Sequence, residues 1–209
     1  MKKGVFITLE GLDGAGKTTQ IKRLAAKAQA LGIETVTTRE PGGTALGDAI
    51  RKILLDPAYK EMLPLTEALL YAASRAQHVE EVIRPALRAG KLVICDRFLD
   101  SSLAYQAFGG GLAAEYVRYI NEEAVKSCKP DRTFVLDLDP QEGQARKGQM
   151  KADRMEQKSL DFHKRVREGF LQIAQKEPER MVVLDAMESP EAIFNAIWTN
   201  VAPLLSILR

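Results

Sequence analysis

A chain of 209 residues is long enough for one generous globular domain. Its 45% hydrophobic and 28% charged residues lie near the globular average, which excludes disorder or a coiled coil as the overall description. Thirty Lys and Arg against 28 Asp and Glu leave a formal charge of +2, too weak to argue for a nucleic-acid polymer or a membrane surface as partner.

In chain order, Met1-Lys2-Lys3-Gly4 runs directly into the apolar stretch Val5–Glu10, which reads as a strand rather than as a secretory signal. Ile21, Leu24, Ala25, Ala28 and Leu31 then recur at helical spacing, and Gly32 stands where a left-handed cap would end that helix. Ile33–Thr38 is a second strand, and 64–89 is helical in pattern, with Pro85 expected to kink or break it. Leu92–Cys95 follows as a third strand, and Ala113, Val117, Ile120 and Ala124 make another helical stripe. Thr133–Leu138, the stripe Phe162, Val166, Phe170 and Ile173, and the strand Met181–Leu184 complete the alternation. Val201–Leu208 is apolar but contains Pro203 and falls far short of the roughly 20 residues that a membrane span needs. Strands with little polar alternation, separated by amphipathic helices, predict an α/β fold with a five-stranded parallel sheet covered on both faces. With no repeat, low-complexity tract or linker, residues 1–209 form a single domain. Cys95 and Cys128 make no disulfide framework, and His78 and His163 make no zinc site, so a reducing compartment, the cytoplasm, is expected.

Between the first strand and the first helix lies Gly11-Leu12-Asp13-Gly14-Ala15-Gly16-Lys17-Thr18, followed by Thr19. This fits G-x-x-x-x-G-K-[ST] in the strand–loop–helix setting that the motif requires, and it predicts a P-loop mononucleotide-binding fold. Its glycines let successive backbone N–H groups converge on phosphate oxygens, and the following helix adds its positive end. Lys17 is placed to reach the β- and γ-phosphates of ATP, and the Thr18 hydroxyl to enter a Mg²⁺ shell. Asp96, at the end of the third strand, is the candidate second Mg²⁺ partner. A guanine-reading Asn-Lys-x-Asp element is absent, which argues against a GTPase switch.

Three further segments narrow the class. They are Arg39-Glu40-Pro41-Gly42-Gly43-Thr44, the helical run 66–79 with Tyr71 and Arg75, and Asp96-Arg97-Phe98 leading to Ser101-Ser102-Leu103-Ala104-Tyr105-Gln106. On these residues, in this order and over essentially the whole chain, the sequence resembles the thymidylate kinases. The resemblance implies an ATP- and Mg²⁺-dependent transfer of the γ-phosphoryl group to dTMP, giving dTDP and ADP for dTTP synthesis, by a homodimer. It implies that Tyr71, where the family usually has Phe, stacks on thymine, and that Arg75 donates to the base O4. It also implies that Arg97 bridges the donor and acceptor phosphates and that Arg51 holds the acceptor phosphate. Glu40 joins the acceptor contacts by the same resemblance, Asp13 meets the 3′-hydroxyl, and Tyr105 crowds the 2′ position. Ser102 and Gln106 are read either as polar neighbours of the base or as a solvated helix face.

Segment 140–156 is polar, contains glycine and carries Arg146, Lys147, Lys151 and Arg154, as expected of a lid that closes over the triphosphate. The variable P-loop positions hold no cation, so the chain resembles the bacterial type whose catalytic arginine sits on the lid. Arg146 and Arg154 are the two candidates, and Asp153-Arg154-Met155-Glu156 resembles a family element that favours Arg154. Two other readings remain: a kinase for a different nucleotide, and an ATP-binding regulatory module with little turnover.

Overall fold

The computed structural model describes residues 4–148 and 152–208, leaving aside the side chains of Lys147 and Ile207. The lid cation Lys151, the Lys147 side chain and the leading Met1-Lys2-Lys3 therefore lie outside the described residues. The strands are β1 (Val5–Glu10), β2 (Thr35–Arg39), β3 (Leu92–Asp96), β4 (Arg132–Asp137) and β5 (Met181–Asp185). They form one parallel sheet in the order β2-β3-β1-β4-β5. Their ends differ from the sequence expectation by a residue or two, because the ladder rather than the apolar run decides them. Ile33 is buried ahead of β2, and Thr35 is the first residue in register, opposite Leu92.

The helices are α1 (Lys17–Ala30), α2 (Ala45–Leu55), α3 (Pro64–His78), α4 (Arg84–Arg88), α5 (Leu99–Ser102), α6 (Ala114–Val125), α7 (Pro140–Lys147), α8 (Leu160–Lys176) and α9 (Pro190–Val201). Every residue of β1 is buried, because the two faces of the sheet meet different layers. Val5, Ile7 and Leu9 pack with Leu24 and Ala28 of α1 and with Ile193 and Ile197 of α9. Phe6 faces the other way, among Val79, Ile83, Val93 and Val125. Each such fully buried Leu, Ile or Phe contributes about 1.5–3 kcal/mol, so the sheet centre is the stable floor on which the loops stand.

Pro85 does not break its helix. Val79–Ile83 form a π-helical turn in which the Arg84 N–H reaches the Val79 carbonyl, five residues back, and α4 then carries Pro85 in its first turn. Widening by one residue relieves the clash that a proline imposes on an α-helical turn. A second π-helical run, Leu103–Gly109, follows α5 and ends with the Gly110 N–H on the Tyr105 carbonyl at 2.8 Å. The first half of the expected lid is helix α7, started by Asp139, whose carboxylate accepts from the Gln141 N–H.

Candidate active site

The loops that follow β1, β2 and β3 leave the carboxyl edge of the sheet together, where open α/β sheets bind ligands. Gly11 has φ +124° and lies so close to Leu136 that a Cβ would come within 2.4 Å of its carbonyl oxygen, so no other residue fits at the mouth of the P-loop. The Leu12 and Ala15 side chains turn into the core, which leaves the backbone of the loop to face the cleft. Lys17 is buried at the start of α1, and its Nζ donates to the Gly11 and Leu12 carbonyls at 3.1 and 2.9 Å. Burial first, then the Arg97 charge, lowers its pKa from 10.5 to about 8. Gly14, Gly16, Thr18, Thr19, Asp96 and Arg97 line the same cleft, of about 820 Å³, together with Arg39 and Arg146.

A second cleft, of about 630 Å³, opens beside it and is floored by Tyr71 and Tyr105. Arg75, Ser102 and Gln106 form its wall, so all the residues read from the sequence as acceptor contacts come together here. Burial, with the Glu67 charge second, pushes the Tyr71 phenol above its ordinary range. The Arg75 side chain is only 1% exposed and held on all sides. Its Nε donates to Glu40 at 2.7 Å, its Nη1 to Ser102 at 2.9 Å and to Asn121, and its Nη2 to the Phe98 carbonyl at 3.0 Å. The Glu40–Pro41 peptide is cis, and the other Glu40 carboxylate oxygen meets His78 Nδ1 at 3.0 Å.

The two clefts share Asp13, Glu40, Arg51 and Arg97. Arg97 donates to the Gly11 carbonyl and to Asp13, each at 2.8 Å, and its guanidinium lies 5.2 Å above the Tyr105 ring. Its φ of +66° is unusual for a residue with a side chain and places the guanidinium at the seam. Glu10, which sequence reasoning missed, pins that turn by accepting from the Phe98 N–H at 2.7 Å and the Ser101 hydroxyl at 2.5 Å. Burial, and next the Asp100 charge, push the Glu10 carboxyl up to about 8. Arg51 donates to the Pro41 carbonyl at 3.0 Å, and burial, with Arg39 second, pulls its pKa down.

The two lid arginines part company. Arg146 lies on α7, donates to the Gly14 and Ala186 carbonyls at 3.4 and 3.1 Å, and lines the phosphate cleft. Helix α7 can ride this close because Gly14 and Gly143 meet backbone to backbone, where a Cβ on Gly14 would fall 2.6 Å from the Gly143 oxygen. Arg154 is buried instead behind the second cleft, with Nε on the Leu54 carbonyl at 2.7 Å and Nη1 against Glu67 at 2.7 Å. The Arg154 backbone N–H also bonds the Leu55 carbonyl, at 3.0 Å, so the Asp-Arg-x-Glu element lies against the end of α2. Among the described residues no cluster of three His, Cys, Asp or Glu could hold a metal ion.

A main-chain phosphate cradle set end to end with an aromatic-floored pocket, with arginines at their seam, defines a P-loop phosphotransferase of the nucleoside-monophosphate kinase class. The family model described as thymidylate kinase matches residues 9–197. The chain belongs to the thymidylate kinase family. It is 51% identical over 203 residues to a thymidylate kinase of Exiguobacterium sibiricum, covering 97% of this chain and 96% of that one. With a thymidylate kinase of Deinococcus radiodurans it shares 52% identity over 205 residues, with 97% and 98% covered. The crystal structure of thymidylate kinase from Ehrlichia chaffeensis superposes with a TM-score of 0.79 at 34% identity, covering 96% of this chain and 99% of the other.

Proposed function

We propose that this site transfers the γ-phosphoryl group of ATP to dTMP, giving ADP and dTDP. The observation that carries the reading is the shared wall of the two clefts: Asp13, Glu40, Arg51 and Arg97 border both, so two nucleotides bound there meet phosphate to phosphate. The P-loop amides and Lys17 hold the donor phosphates, while Arg97 and Arg51 neutralise charge where the two chains of phosphate meet. The acceptor phosphate is itself a nucleophile near neutral pH, so alignment and charge neutralisation supply the catalysis, and no side-chain base is required. Of the two lid arginines, Arg146, tied to the P-loop through Gly14, is the better placed for the transferred group, and Arg154 anchors the pocket instead.

Thr18 and Asp96 are the protein groups that would hold Mg²⁺. Both are hard oxygen donors lining the phosphate cleft, and so small a protein share suits a cation that keeps water and phosphate as its other ligands. When bound, the ion supplies positive charge to the phosphate oxygens. At the far end, Tyr71 stacks on the base, Arg75 offers O4 the one Nη2 N–H that its internal bonds leave over, Tyr105 lies against the sugar and Asp13 reaches the 3′-hydroxyl.

The test is ADP release from ATP, with and without each nucleoside monophosphate. Release stimulated most by dTMP is expected; release indifferent to every acceptor would leave only a nucleotide-binding module.

Homodimerisation and a cytoplasmic location belong to the same proposal. Leu46 and Ile53 on α2, Leu65 and Leu69 on α3, and Tyr119 on α6 are exposed apolar side chains on three neighbouring helices, which supports a self-association face. Sedimentation equilibrium is expected to give twice the chain mass, and a single-chain mass at micromolar protein would remove the dimer. Cys95 and Cys128 are both free thiols, in keeping with a reducing compartment. No helix among the described residues is long and apolar enough to cross a membrane.

A further inference from the structure

Glu67 stood out in no sequence motif, yet it joins parts of the acceptor pocket that lie far apart in the chain. It precedes Tyr71 by four residues and Arg75 by eight, so the three share one face of α3. Its buried carboxylate accepts from Gln106 Nε2 at 2.9 Å through one oxygen and pairs with Arg154 Nη1 at 2.7 Å through the other. Arg154 is in turn fixed to the end of α2 by the Leu54 and Leu55 carbonyls.

A carboxylate in an ion pair accepts hydrogen bonds and donates none. The Gln106 amide must therefore turn its NH₂ toward Glu67, which leaves its carbonyl oxygen as the atom available to the pocket that Gln106 lines. Arg75, on the same wall, has only donors. The wall thus presents a donor beside an acceptor. A pyrimidine with a keto oxygen at position 4 and a proton on N3 matches both groups, as thymine and uracil do. Cytosine, with an amino group at position 4 and a bare N3, opposes both, and such mismatches leave buried polar groups unpaired.

We propose that Glu67, clamped by Arg154, is the positioning residue that fixes the Gln106 amide and thereby makes the pocket reject cytosine. The inference rests on the acceptor reading given above and deepens it. Glu67→Gln puts an amide at position 67 that can donate or accept, so the Gln106 amide is free to turn over.

The measurement is kcat/KM for dTMP, dUMP and dCMP in the wild type, in Glu67→Gln, and in a double variant, Glu67→Gln with Arg154→Met. The double variant removes the buried guanidinium that the single change strands, and so carries the test if the single variant fails to fold. The dTMP-over-dCMP preference is expected to fall at least about tenfold while the dTMP-over-dUMP preference stays within about twofold, because both keto bases make the same use of the amide. A variant that melts like the wild type and keeps the full preference over dCMP overturns the proposal. So does an equal loss of both preferences, which would mark a general loosening of the pocket. A wild-type enzyme without preference for dTMP over dCMP would remove the acceptor reading itself, whereas retained preference in the variants removes only the role of Glu67.

Discussion

Lys17→Ala is expected to lower kcat by a factor on the order of 10²–10³, the usual effect of deleting one preorganised donor from a charge-stabilising site, while the folded state persists. The two halves of this result have one cause. In the free protein the ammonium is buried against the Gly11 and Leu12 carbonyls and beside Arg97, and its pKa falls from 10.5 to about 8. A depressed lysine pKa means that the folded state disfavours the charge. That penalty is complete below about pH 8 and is relieved as pH rises toward 10.5, so alanine removes a group that costs stability at neutral pH. The site tolerates the cost because a polyphosphate repays it on binding. The same shift predicts a pH profile: kcat/KM for ATP, which reports the free enzyme, falls above about pH 8 as Lys17 loses its proton, whereas kcat stays level to higher pH. Stopped-time assays from about pH 6.5 to 9.5, bracketing that value, with thermal melts of both proteins, check this. A Lys17→Ala enzyme turning over within about threefold of wild type would remove Lys17 from the transfer step.

Arg75→Ala is the second large effect, and it acts on stability and selectivity together. Arg75 and Glu40 are almost fully buried, and removing one partner of such a pair costs about 3–5 kcal/mol because the other charge is left unsatisfied. The guanidinium also ties α3 to Ser102, to Asn121 and to the Phe98 carbonyl, so its loss loosens the wall of the acceptor pocket as well as one ion pair. A drop in melting temperature on the order of 10 °C is expected for a domain of this size. On the catalytic side the preference for dTMP over dCMP collapses, because the donor aimed at O4 is gone. Arg75→Lys keeps the charge but not the fork of donors, and is expected to recover part of the stability with little of the selectivity. Calorimetry and acceptor competition on the two variants separate these effects. Unchanged discrimination in Arg75→Ala would refute the role of Arg75 at the base.

The phosphate cradle and the parallel sheet were legible in the chain itself, and the reason is local. A glycine-rich turn, a helix start and a run of β-branched residues each express conformational needs satisfied within a few neighbours, so their spacing is enough to read them. Spacing alone puts Tyr71 and Arg75 on one helix face, but Arg97, Ser102, Tyr105 and Gln106 could be gathered into the same pocket beforehand only through family resemblance. What only the tertiary structure decided is which charges find one another. Among 30 basic and 28 acidic side chains, no spacing rule shows that Glu10 pins the Arg97 turn or that Arg154 belongs to Glu67. Nor does it show that Arg146, rather than Arg154, faces the phosphate cleft. These pairings span tens of residues and depend on where the sheet edge, α3 and α7 come to rest. The π-helical turn ahead of Pro85 is of the same kind: a proline announces trouble for a helix, but packing of Val79 and Ile83 against the sheet decides that the chain widens and continues.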